Sequence, residues 1–319
     1  MSIRRNILSM VYNAFVATER LGRFRFTSKI WHALWRKSCS LIHEGVATKI
    51  HGRTAEVNYG FPYPFIARQF SSFNNPLVEI VHQTFRVKKR KVTLIDVGSS
   101  VGDTVLLIEA NCSGMVEQYY CIEGDREFYS YLTANLAFRR GIEFFPVMLS
   151  SHDAPVPALV RTHSGTASAI GDEKIRATTL DKILFDKQRI IDIVKIDVDG
   201  FDGEVLKGSK NILRRHKPAV IFEWHPLLCQ RAENNWKDHF TVLAQCGYTR
   251  FLFFTKFGEF NHIMIGYDKE SVEALADFSL ASKQYEDWHY DIVALHPEND
   301  VDANSIADCA YAKAKRSPY

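Results

Sequence analysis

The 319-residue sequence predicts an α/β protein built on a mostly parallel sheet, with a helical N-terminal extension. Three observations carry this. From Lys91 onward, short apolar runs alternate with helical patterns, which is how parallel sheets are written. The run 92–97 ends in Asp96-Val97 and enters a glycine turn, Gly98-Ser-Ser-Val-Gly102. Further on, Lys195-Ile-Asp-Val-Asp199 places three ionisable residues on an otherwise apolar strand.

In chain order, residues 1–45 read as helical. Trp31, Leu34, Trp35, Leu41 and Ile42 recur at roughly helical spacing. Basic residues concentrate at Arg4, Arg5, Arg20, Arg23, Arg25, Lys29, Arg36 and Lys37. Such a stripe suits an accessory layer docked on the main domain, a helix lying on a membrane surface, or a homodimer interface. Residues 46–50 and 53–57 predict a hairpin turning at His51-Gly52. Pro62 and Pro64 break regular structure in an aromatic loop placed to lie over a site. Residues 76–87 predict a helix opened by Pro76.

In the core, strands are expected at 92–97, 117–122, 142–149, 192–198 and 219–224. Helices are expected at about 101–111, 126–139, 202–215 and 230–245. An edge hairpin follows at 248–255 and 261–265, turning at Gly258. Residues 150–175, with Pro155, Pro157, Gly165 and Gly171, read as a long irregular loop, 269–283 as a helix, 292–295 as a short strand, and 298–319 as a frayed tail. The division is an accessory region 1–75, a catalytic domain 76–267 and an extension 268–319.

A net charge of +3 is too small to argue for nucleic acid as a partner. Six scattered cysteines without a Cys-x-x-Cys pair suggest a reducing compartment, and no apolar run reaches the ~20 residues of a membrane span; a cytoplasmic enzyme is expected.

The turn Gly98 to Gly102 lacks the middle glycine of a dinucleotide fingerprint and the lysine of a phosphate loop. It suits a nucleotide-type cofactor without a pyrophosphate. Glu123 ends the next strand 21 residues after Gly102, where an acid accepts the hydroxyls of a ribose; Asp125 is the alternative. Lys195, Asp197 and Asp199 share one side of their strand, and burial requires that they meet each other or a ligand. His225, at the end of the following strand, is the best-placed imidazole in the chain, and nothing in the spacing of these groups demands a metal.

These residues resemble a family. The segment 193–208, Ile-Val-Lys-Ile-Asp-Val-Asp-Gly-Phe-Asp-Gly-Glu-Val-Leu-Lys-Gly, is similar to the Lys-Ile-Asp-Val-Glu-Gly…Glu-Val-Leu-x-Gly motif of the FkbM family of class I S-adenosylmethionine-dependent methyltransferases. Residues 175–181 and 221–225 match further segments. Ser100 replaces the family's usual asparagine, Gly124 a frequent proline, and Asp199 the usual glutamate.

The resemblance implies a Rossmann-like sheet of seven strands with the last antiparallel. It also implies S-adenosyl-L-methionine as cofactor and O-methylation of a sugar, glycolipid or other small-molecule hydroxyl. Asp96, Gly98, Ser99, Ser100, Gly102 and Asp103 would then hold the cofactor's methionine end, and Glu123 with Gly124 its ribose. Asp199 or His225 would be the base, with Asp197 and Lys195 orienting it or the acceptor. The competing readings are a nicotinamide-dependent oxidoreductase and a catalytically silent binding subunit.

Overall fold

The computed structural model describes residues 3–24, 26–163, 166–281 and 288–316. Among these, the central sheet has eight strands. Their spatial order is Phe260–Ile265, Arg250–Thr255, Tyr290–Leu295, Ala219–Trp224, Ile193–Ile196, Val92–Val97, Val116–Ile122, Ile142–Phe145. The last five are parallel to one another. Tyr290–Leu295 runs antiparallel between Ala219–Trp224 and Arg250–Thr255, and Phe260–Ile265 is an antiparallel edge.

Val92–Val97 is buried along its whole length, as a central parallel strand must be. The chain leaves it toward Val116–Ile122 on one side and later returns to Ile193–Ile196 on the other. This reversal of strand order opens a crevice at the strands' C-terminal ends, where such sheets bind ligands.

Four expectations change. The sheet has eight strands rather than seven, and the antiparallel strand inside it comes from the stretch assigned to the C-terminal extension. Ile292, Val293, Ala294 and Leu295 are all buried, so this short run is an interior strand and the sheet does not end at residue 267.

Residues 150–175 are not irregular. Pro155–His163 pairs antiparallel with Thr166–Thr178, and Met148–Leu149 joins the other side of the latter. Pro155 and Pro157 sit on the outer strand of this small sheet, where a missing N–H costs no ladder bond. Gly165 lies outside the described residues.

The C-terminal segment forms a helix, Ala303–Arg316, docked on Asn75–Lys88 through buried Ile306 and Ala307. Finally, the aromatic loop continues as a short helix, Tyr63–Gln69, because Pro64 falls in its first turn.

The N-terminal region is helical, with Ile3–Ala17 and Ser28–Leu41 followed by the hairpin Gly45–Ile50 and Arg53–Asn58. The ring of Trp35 packs on Phe65 at 4.9 Å, Tyr59 at 5.7 Å and Tyr12 at 6.0 Å. Tyr12 and Val46 belong to the same apolar core as Leu94 and Val105, so this layer is continuous with the main domain. Among the described residues no helix is long and apolar enough to cross a membrane.

Candidate active site

A cavity of about 250 Å³ lies at the C-terminal tips of Val92–Val97, Val116–Ile122 and Ile193–Ile196. Gly98, Ser100 and Asp103 form one wall, and Glu123 and Gly124 the next. Lys195, Asp197 and Asp199 form a third, and Phe61 and Tyr63 of the aromatic segment cover it.

The glycine turn is fixed by close backbone approach. Gly98 has φ +76°, and a Cβ there would stand 1.9 Å from the carbonyl oxygen of Asp197. Glycine is therefore required where two strand tips cross, whatever the cavity holds. Ser100 is also left-handed, with φ +46°, a conformation that asparagine and glycine adopt at less cost than serine.

The Ser100 N–H donates to Glu123 Oε2 at 2.8 Å, and the Asp125 N–H donates to Glu123 Oε1 at 2.7 Å. Each carboxylate oxygen has a second lone pair, so Glu123 can still accept from a ligand. Burial pushes its pKa up to about 7. Asp125 is committed elsewhere: its Oδ1 caps the helix Arg126–Leu136, accepting from Glu127 and Phe128 N–H at 2.9 Å each.

Three residues expected at the cofactor stand behind the wall instead. Asp96 is fully buried beneath the turn. Lys195 Nζ lies 3.4 Å from its Oδ1, and neither oxygen accepts a hydrogen bond among the described residues. Desolvation raises its pKa. Ser99 Oγ donates back to the Asp96 carbonyl at 2.7 Å. Gly102 serves packing, since a Cβ there would meet the Leu136 side chain at 3.0 Å.

Lys195 organises the acids. Its Nζ lies 3.2 Å from Asp197 Oδ2 and donates to the Gly98 carbonyl at 3.2 Å. Burial alone would lower its pKa, but Asp197, Asp96 and Asp103 outweigh that and raise it, so the amine stays charged. The strand ends at Ile196, and Asp199 sits in the turn beyond it with φ +50°, so Asp199 does not share a strand face with Lys195 and Asp197 as the alternation suggests. It still lines the cavity, where burial and then Asp197 push its carboxyl up to about 7.

His225 does not line the cavity. It is buried, with its ring stacked on His289 at 5.1 Å, and His289 is the imidazole that reaches the wall. His289 Nε2 lies 3.3 Å from Glu223 Oε1. Asp291, opposite Glu223 in the register, also lines the cavity, and burial and then Asp197 push it up to about 7. Sequence reasoning does not reach His289 and Asp291, which fall in the stretch read as a C-terminal extension. Their signal was present in His289-Tyr-Asp-Ile292, the same alternation of ionisable and apolar residues that marked Lys195 and Asp197. In all, six carboxylates (Asp103, Glu123, Asp197, Asp199, Glu223, Asp291) face the cavity against Lys195 and Lys256. Among the described residues no group of three or more His, Cys, Asp and Glu side chains is arranged to hold a metal ion.

A reversing parallel sheet, a glycine turn and an acid at the next strand tip together define an α/β enzyme with a nucleoside-type cofactor site. Residues 96–250 match the Methyltransferase FkbM domain family model. Over that stretch the α/β core is similar to the FkbM methyltransferases, a likeness that supports S-adenosylmethionine as cofactor over the nicotinamide reading.

Among solved structures, the chain is similar to the methyltransferase FkbM of Methylobacillus flagellatus, with 18% identity and a TM-score of 0.35. The likeness covers 49% of this chain and 36% of that one, so the chain spans about a third of that protein's length. It is also similar to a SAM-dependent methyltransferase from Aquifex aeolicus (12% identity, 66% and 88% of the chains, TM-score 0.35). A third likeness is to TYW2 of M. jannaschii in complex with AdoMet (10% identity, 79% and 85%, TM-score 0.38). Comparison with curated proteins finds no match.

Proposed function

We propose that the enzyme methylates a hydroxyl oxygen of a sugar, glycan, glycolipid or similar small molecule. The observation that carries this is the acid-lined wall around Asp199. Carboxylates accept hydrogen bonds from hydroxyl groups, and several converging on one cavity suit a ligand carrying more than one. S-adenosylmethionine, when bound, supplies a methyl group already activated on a sulfonium.

The residues fit that cofactor. Its sulfonium and ammonium are cations, and the cavity is rich in carboxylates. Glu123 accepts the ribose hydroxyls with its remaining lone pairs. Ser100 and Asp103 stand at the methionine end, and Gly98 lets the strand tips close beneath it. Gly124 lets Met148 pack against the ribose side of the cavity, since a Cβ there would meet its side chain at 2.7 Å. Asp96 acts from behind the wall by holding Lys195.

A hydroxyl is a weak nucleophile and needs a base as its proton leaves. Asp199 takes that role: it shares a pKa raised to about 7 with the cavity-facing Glu123 and Asp291, but it alone of the three lies on the wall formed with Lys195 and Asp197. Asp197 and Lys195 hold its surroundings, and His289, backed by His225 and just ahead of the strand Tyr290–Leu295, orients the acceptor.

The test is transfer of a labelled methyl group from S-adenosylmethionine to a panel of sugars, glycolipids and amines. The reading predicts an O-methyl product. Exclusive labelling of amines, or no transfer by a chain that binds the cofactor, would refute it.

A further inference from the structure

We propose that the N-terminal helices seat the enzyme on an anionic membrane surface. Both helices turn one aromatic stripe inward, where Phe15 packs on Trp31 at 5.7 Å and on Trp35 at 5.0 Å. Each also carries a second apolar stripe outward. Ile3, Ile7 and Met10 follow at helical spacing on Ile3–Ala17, and Ile30, Leu34 and Leu41 do so on Ser28–Leu41. All six are more than half exposed. Ser28–Leu41 has no fully buried residue at all. In the turn between the helices Phe26 is 92% exposed and Phe24 61%. Single exposed apolar residues are ordinary, but outward stripes repeated at helical spacing on two packed helices call for a partner.

Charge selects the partner. Residues 1–45 hold eight Lys and Arg against Glu19 and Glu44, a net +6 on a chain whose total is +3. Arg4 pairs with Glu44 and Arg23 with Glu19, while among the described residues Lys29, Arg36 and Lys37 form no ion pair. Apolar stripes beside basic residues match lipid tails beside anionic headgroups. A second copy of the chain would instead bring two positive faces together.

The docking helices are tied to the cavity. Tyr12 O–H donates to the Phe61 carbonyl at 2.6 Å, and Phe65, on the helix that covers the site, packs on Trp31 at 6.1 Å and Trp35 at 4.9 Å. A membrane-seated enzyme therefore presents its cavity wall from the same block that meets the lipid.

The experiment is co-sedimentation of the full chain with phosphatidylcholine vesicles, with and without phosphatidylglycerol, at low and high salt, alongside sedimentation velocity without lipid. The proposal predicts binding to the anionic vesicles that weakens with salt. It predicts a loss of about tenfold or more in the Ile30→Glu/Leu34→Glu variant, whose affinity for S-adenosylmethionine stays that of the native chain. Absence of vesicle binding, equal binding to neutral and anionic vesicles, or a lipid-free dimer that Leu34→Glu splits would each overturn it.

Discussion

The Ser100 N–H and Glu123 Oε2 stand 2.8 Å apart, and this bond ties the glycine turn to the tip of the neighbouring strand. One carboxylate thus shapes the turn and faces the cavity. Glu123→Ala removes both the ribose acceptor and the tie. S-adenosylmethionine affinity, measured by calorimetry, is expected to fall by about tenfold to a hundredfold, the worth of one or two hydrogen bonds to a charged group. Unchanged affinity would remove Glu123 from the cofactor site.

Asp199 faces the cavity without belonging to the strand, and its pKa is raised to about 7. Only the deprotonated form accepts a proton, so kcat/KM should rise with pH through about 7 and then level. Asp199→Asn should keep cofactor affinity, lower kcat by about 10²-fold or more, and lose that rising limb. A limb that persists in the variant assigns the base elsewhere.

The stacked pair His225 and His289 divides into one buried ring and one cavity-facing ring. His289→Ala should therefore raise KM for the acceptor more than His225→Ala does. His225→Ala should show itself chiefly as lost thermal stability, because it empties a packed site. Equal effects on KM would show that the two rings act as one unit.

Gly98 is held by the Asp197 carbonyl that crosses it. Gly98→Ala combines a positive φ with a contact no Cβ tolerates. It should cost about 2 kcal/mol or more in chemical denaturation and lower the yield of folded protein. A native-like stability would mean that the strand tips separate more readily than their ladder implies.

Much of this architecture is legible in the residues. Predominantly apolar strands such as Val92–Val97 announce their burial, and a strand that ends in an acid and a glycine announces a binding edge. Other parts depend on tertiary context. Tyr290–Leu295 is short and follows a polar stretch, so only its neighbours on both sides reveal it as an interior strand. The hairpin from Pro155 hides behind its prolines, which are harmless on an outer strand. In the site, Glu123 and Lys195 were readable from position. That Asp96, Ser99 and Gly102 stand behind the wall was not, because a strand tip gives no sign of which groups its neighbours cover. His225 and His289 differ in role only through how their rings stack, a relation between residues 64 positions apart.

The most direct test is a crystal structure of the chain with S-adenosylhomocysteine. The account predicts the ribose hydroxyls on Glu123, the amino-acid end against Ser100 and Asp103, and the sulfur facing the Asp199 side of the cavity. A ligand seated outside this cavity, or a ribose that makes no contact with Glu123, would contradict it.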